Sequence, residues 1–174
     1  MDRKEYLIYK FKQLDQSKFR SSFHLNKKMK LYVDQLIIEV GRKCNLKCAH
    51  CLRGEAQDAE VSFDAVKTLL DNVDEIATLT FTGWEPSLYA ETIDKIVNYI
   101  IENDIELYNF YVATNAVKYS PVFVNALIKL YAHCYEKDMC QLDISDDGYH
   151  REWYECCGIK PAYDFYEALS FTSK

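Results

Sequence analysis

Three cysteines stand within eight residues, Cys44-Asn45-Leu46-Lys47-Cys48-Ala49-His50-Cys51, a CxxxCxxC spacing that lets their sulfurs converge on one inorganic centre. Thiolates are the usual ligands of iron-sulfur clusters. Three of them fill only three corners of a cubane, so the fourth iron stays open to an outside ligand, which points to chemistry rather than electron storage. The same residues allow two other readings: a zinc site with His50 as fourth ligand, cramped by its place beside Cys51, or thiols that bind nothing. Cys134, Cys140, Cys156 and Cys157 follow no recognisable ligand spacing and read as ordinary buried or surface thiols.

A centre of this kind must be held by regular elements, and the chain alternates between strand and helix patterns. From Leu31, LYVDQLIIEV is dense in branched residues and predicts a buried strand that ends near Val40 and runs straight into the cysteines. Ser62 is a candidate N-cap for a helix with Phe63, Val66, Leu69, Leu70 and Val73 inward, followed by the strand IATLTFT. A helix from Ala90 to Asn103 and the strand LYNFYVA form the next unit. Ser120 and Pro121 open a helix through Val124, Leu127, Ile128 and Tyr131, before a fourth strand, CQLDIS. A last helix is predicted near Pro161, and residues 169–174 could begin a fifth strand. Residues 3–14 could form a short amphipathic helix. Such alternation predicts an α/β fold with parallel strands.

Ligands of these folds sit at the carboxyl ends of the strands, so each strand end was read for polar chemistry. The second strand ends in Thr82-Gly83-Trp84-Glu85-Pro86, the third in Ala113-Thr114-Asn115-Ala116, and the fourth in Ser145-Asp146-Asp147-Gly148. Taken alone, Asn115 is also a common turn residue, and Ser145 and Asp147 suit a capped turn. His150 could contact a substrate, though a loop histidine without a partner is usually just exposed.

The bulk properties narrow the classes. The 174 residues, 49% hydrophobic and 28% charged, predict one globular domain with a proper core. Seven cysteines, an odd number with three clustered, fit a reduced compartment better than a disulfide framework. With no membrane-length apolar run and no signal segment, a cytoplasmic location is expected, with no membrane partner. Residues 1–53 hold 13 Lys and Arg against 5 Asp and Glu, whereas residues 54–174 hold 8 against 22. This asymmetry reads as a solvated basic face more than a nucleic-acid site.

The loop CNLKCAHC resembles the signature of the radical S-adenosylmethionine (radical SAM) superfamily. The remaining strand ends are similar to that family's other motifs, one strand-helix unit of roughly 30 residues apart. Gly83, Glu85 and Pro86 match its GGEP loop, with Trp84 at the second glycine; Thr114 and Asn115 resemble a TNG sequence, with Ala116 for glycine. Ser145, Asp147 and Gly148 resemble an S-x-D-G sequence of peptide-modifying members.

The resemblance implies a partial parallel (βα) barrel with about four strand-helix units, an N-terminal arm over residues 1–33 and a core domain over 34–174. It implies a 4Fe-4S cluster on Cys44, Cys48 and Cys51, and S-adenosyl-L-methionine bound by His50, Gly83, Trp84, Glu85, Pro86, Thr114, Asn115, Ser145 and Asp147. Trp84 would either crowd the methionine end of that cofactor or point away and pack. The implied reaction is reductive cleavage to a 5′-deoxyadenosyl radical that abstracts hydrogen from a peptide, protein or small molecule. An electron donor such as flavodoxin or ferredoxin is the implied partner. Family cores commonly have six units, so a fragment, a minimal form, a homodimer or a completing partner is expected. Two other functions stay open: a non-catalytic iron-sulfur or SAM-binding module, and a zinc-binding interaction domain.

Overall fold

The computed structural model describes residues 30–162. In chain order these form β1 (Leu31–Gly41), α1 (Phe63–Leu70), β2 (Val73–Gly83), α2 (Ala90–Glu102), β3 (Glu106–Thr114), α3 (Pro121–His133), β4 (Gln141–Ile144) and α4 (Gly148–Cys157). Short 3-10 turns occupy Pro86–Tyr89 and Lys137–Met139. The four strands pair in parallel in the order β1-β2-β3-β4. A sheet wound in one direction differs from a doubly wound sheet, whose strand order reverses at a switch point. The architecture is α/β, four strand-helix units of a partial parallel (βα) barrel.

Register explains how one face of the sheet becomes core. Ile38 lies opposite Phe81, Phe81 opposite Val112 and Val112 opposite Leu142, so one row crosses all four strands. All four are buried, together with Val66 and Leu70 of α1, Ile93, Ile96, Val97 and Ile100 of α2, and Phe123, Leu127 and Leu130 of α3. Strand side chains alternate between faces, so Glu39, Thr82, Tyr111 and Asp143 belong to the opposite, more polar side. Two side-chain bonds join members of that side: Arg53 donates to Thr82 Oγ1 (2.8 Å) and Tyr111 donates to Asp143 Oδ2 (3.0 Å).

Several expected boundaries and faces are corrected. β1 is not buried on both sides: Leu36, Ile38 and Val40 are buried, while Ile37 on the other face is 56% exposed. Among the described residues it is an edge strand, and helices α1, α2 and α3 share the core with the face that carries Leu36, Ile38 and Val40. β1 begins at Leu31, as expected. Leu69 and Ile128 are exposed rather than inward, and Val73 belongs to β2 rather than to the helix before it. A helix not expected from the sequence, α4, follows β4 from Gly148. Asp147 caps it by accepting a bond from the backbone N–H of His150 (3.0 Å), and Gly158 ends it in the left-handed region (φ 62°). The predicted helix at 3–14, the strand at 169–174 and any helix beyond Ala162 lie outside the described residues.

Other signals hold. Ser120 Oγ accepts from Phe123 N–H (3.3 Å), with Pro121 in the first turn of α3. Ser62 occupies the N-cap position of α1 without a side-chain bond. Among the described residues, no helix is long and apolar enough to cross a membrane.

Candidate functional site

At the carboxyl ends of the strands lies a pocket of about 870 Å³, a volume typical of small-molecule sites. Its wall takes Cys44, Cys48, His50 and Cys51 from the loop after β1, and Gly83, Trp84, Glu85 and Pro86 from the end of β2. Thr114 and Asn115 come from β3, and Ser145 and His150 from beyond β4. Of the residues singled out by sequence, Asp147 is not part of this wall. Its Oδ1 caps α4 and its Oδ2 lies 2.8 Å from His150 Nδ1.

The three loop thiols are free, and Cys44 and Cys48 are partly covered by protein. Cys44 Sγ accepts bonds from Leu46 N–H (3.4 Å) and from the Asn115 side chain (3.9 Å), and Cys51 N–H donates to Cys48 O (3.1 Å). Burial raises the Cys44 thiol above its ordinary pKa, and negative charge on Glu85 and Cys51 adds to the rise. Cys48 is raised by burial too, with contributions from Cys44, Cys51 and Asp147. Cys44 and Cys48, whose ionisation burial and neighbouring negative charge penalise, would be held as thiolates by a nearby cation. The donor set therefore fits a thiolate-ligated metal centre.

His50 does not complete a zinc site with these sulfurs. Its ring stacks on Tyr149 (4.6 Å between centroids), meets His150 edge-on (5.0 Å) and brings Nε2 to 3.9 Å from Asp147 Oδ2. The imidazole belongs to the β4–α4 side of the pocket. Cys134 and Cys140 are buried in the core rather than in the pocket, and Cys156 and Cys157 are exposed.

Glu85 is buried and its carboxylate is held by three donors. Only 2% exposed, its Oε1 accepts from Ser87 N–H (3.0 Å) and Thr114 Oγ1 (2.6 Å), and its Oε2 accepts from Asn115 N–H (2.8 Å). An ionised carboxylate offers about four acceptor sites, so one remains on Oε2. Asn115 extends the link to the cysteine loop by donating to Asn45 Oδ1 (2.8 Å). The Tyr154 hydroxyl of α4 lies 2.8 Å from Asn115 O and 3.1 Å from Ser145 O, tying the ends of β3 and β4. Asn45 sits between the motif cysteines and Tyr154 lies outside every motif, and no sequence signal marks their part here.

Ala116 holds a left-handed backbone (φ 53°) and is fully buried, which is the physical reason glycine suits this position. Trp84 does not need glycine's freedom: the positive φ falls on Gly83 (142°) instead. The Trp84 ring reaches over the cysteine loop, donates from Nε1 to Gly54 O (3.2 Å), and has the guanidinium groups of Arg42 and Arg53 at 5.5 and 5.8 Å. Arg42 also donates to Glu39 (2.8 Å), and Arg53 to Thr82. Trp84 therefore pins the far end of the loop to β2. Trp84→Ala is expected to cost about 1–2 kcal/mol, less than for a fully buried tryptophan, read as a lower denaturation midpoint. Trp84→Phe, which keeps a ring but loses the bond to Gly54, should fall between the two.

A comparison with known proteins finds an uncharacterized protein of Methanocaldococcus jannaschii, 35% identical over 71 residues, which are 39% of this chain and 25% of that protein. The chain thus spans about a quarter of the length of the curated relative it matches. The family model of the Radical SAM superfamily matches residues 38–159, from the middle of β1 past the end of α4. With that match covering most of its length, and with every wall of the pocket inside it, the chain belongs to the radical SAM superfamily.

Proposed function

We propose that Cys44, Cys48 and Cys51 hold a 4Fe-4S cluster open at one iron to S-adenosyl-L-methionine, and that the chain is a radical SAM enzyme acting on a peptide, protein or small molecule. The observation that carries this reading is the convergence of three free thiols from one loop on a pocket walled by all four strand ends. When bound, the cluster and cofactor supply an electron and a 5′-deoxyadenosyl radical for hydrogen abstraction. The chain's own residues bind and orient. Leu46 N–H and Asn115 polarise Cys44 by donating to its sulfur, and Glu85 keeps one acceptor site for a cationic group. Gly83, Pro86, Thr114, Asn115 and Ser145 shape the wall on which the cofactor would lie. The Ser145-x-Asp147-Gly148 sequence favours a peptide substrate. An electron donor of the flavodoxin or ferredoxin type is the partner such chemistry requires.

A second reading, a member that binds without turnover, is favoured by one observation: the Trp84 ring occupies part of the pocket wall where the family's loop has glycine.

Anaerobic reconstitution with iron and sulfide, reduction, and electron paramagnetic resonance with and without S-adenosylmethionine decide between them. The expected result is a 4Fe-4S signal that shifts on adding the cofactor and is lost in Cys48→Ser. A cluster that ignores the cofactor supports the second reading. No cluster in the wild-type protein sinks both.

A further inference from the structure

We propose that His50, Asp147 and His150 form a second metal site, for a zinc-like divalent cation, in the same pocket but with no sulfur ligand. The three side chains come from two separated segments: His50 from the loop after β1, and Asp147 and His150 from the N-cap and first turn of α4. One ligand atom of each lies within 4.8 Å of the other two. His150 Nδ1 is 2.8 Å and His50 Nε2 is 3.9 Å from Asp147 Oδ2. Zinc bonds of about 2.0–2.2 Å in a tetrahedron set donors roughly 3.3–3.6 Å apart. The two spacings to Asp147 bracket that value and the third pair of donors is no more than 4.8 Å apart, so the side chains would shift to close the site.

The supporting contacts favour a ligand role. His50 makes no hydrogen bond to any described residue: Nδ1 is buried without a partner, and Nε2 stands too far from Asp147 for one. Nε2, the nitrogen nearer Asp147, is therefore not committed to a protein acceptor and can take a cation. The ring is nonetheless fixed, by stacking on Tyr149 and by the edge of His150. Asp147 is fixed through Oδ1, which caps α4, leaving Oδ2 to the cation.

Two imidazoles and one carboxylate suit zinc and other first-row divalent ions, and three protein ligands leave a fourth position. His50 and His150 line the pocket whereas Asp147 does not, so the open position faces the pocket. It would take water or a carboxylate or carbonyl oxygen of the pocket's occupant. Nothing in this depends on the cysteines.

The test uses cluster-reconstituted protein without S-adenosylmethionine, incubated with zinc, desalted, and assayed for metals by mass spectrometry. The expected result is one zinc per chain in addition to iron, and a His150→Ala variant that keeps its iron and loses zinc affinity by at least about tenfold, the lower end of what even supporting groups contribute. In a Cys44→Ser, Cys48→Ser, Cys51→Ser variant, cobalt(II) should give visible ligand-field bands with no thiolate charge transfer. Iron without zinc overturns the site, as does zinc that persists undiminished in His150→Ala. Zinc lost in His150→Ala from a protein that never takes up iron sinks the cluster reading and leaves this one standing.

Discussion

Glu85→Ala is expected to lower the stability of the fold by about 3–5 kcal/mol, the range for breaking a buried charged network by removing one partner. The carboxylate is 2% exposed and collects three donors from two segments: the Ser87 N–H after β2, and the Thr114 hydroxyl and Asn115 N–H at the end of β3. Alanine leaves all three buried without an acceptor, at about 1–3 kcal/mol each where water does not enter. Glu85→Gln is a graded control. Its one carbonyl oxygen can serve Ser87 and Thr114, but its amide then faces the Asn115 N–H, donor against donor, so an intermediate loss is expected. Urea unfolding of the protein without cluster measures both. If Glu85 served only to grip a cofactor, Glu85→Ala would unfold at the wild-type midpoint and show weaker S-adenosylmethionine binding alone. That outcome would refute the clamp between β2 and β3.

Much of this arrangement was legible because two periodicities are strong. The branched runs of β1 to β3 and the i, i+3, i+4 spacing of α2 fix the order of elements, and the order places every strand end on one side. The cysteine spacing then singles out the loop. Adjacent apolar residues defeated the finer reading: in Thr68-Leu69-Leu70 and Leu127-Ile128 only one of each apolar pair can face the sheet, and neighbours choose which. α4 was missed because it has almost no apolar stripe; Tyr154 is its one buried residue. Its start is marked by Asp147, a residue that a functional motif also claims.

The long-range pairs were illegible for a different reason. Strand spacing tells which residues reach the pocket, not which donor meets which acceptor there. Glu85 with Thr114 and Asn115, Asn45 with Asn115, and Trp84 with Gly54 are meetings of side chains with residues of another loop, set by how closely the strand ends approach. Trp84 shows the point most directly. Along the sequence it reads as either crowding a cofactor or packing away; the fold adds that its ring fastens the end of the cysteine loop through Gly54 while standing in the pocket wall.

That close approach has its own test. Gly83→Ala is expected to be as damaging as the loss of Glu85, at about 3–5 kcal/mol, from backbone strain and overpacking together. Gly83 has a φ of 142°, and an added Cβ would lie 2.4 Å from Gly41 O and 3.3 Å from Gly41 N. Gly41 is its register partner on β1, so the obstacle is backbone rather than a side chain that can turn away. Gly41 cannot retreat either, because the Tyr89 ring fills the space beside it; a Cβ on Gly41 would come within 2.1 Å of that ring. Tyr89 is in turn held there, its hydroxyl accepting from Lys43 N–H (2.6 Å) and donating to Ala59 O (2.9 Å). The stack of Gly83, Gly41 and Tyr89 therefore sets the root of the cysteine loop, and Gly83→Ala should lower cluster occupancy along with the unfolding midpoint. Gly148→Ala is the control: it sits in α4 with open space around it, and the exchange should change stability by no more than about 1 kcal/mol, in the favourable direction. A Gly83→Ala protein that unfolds with Gly148→Ala, at or above the wild-type midpoint, would show that the ends of β1 and β2 do not meet as described.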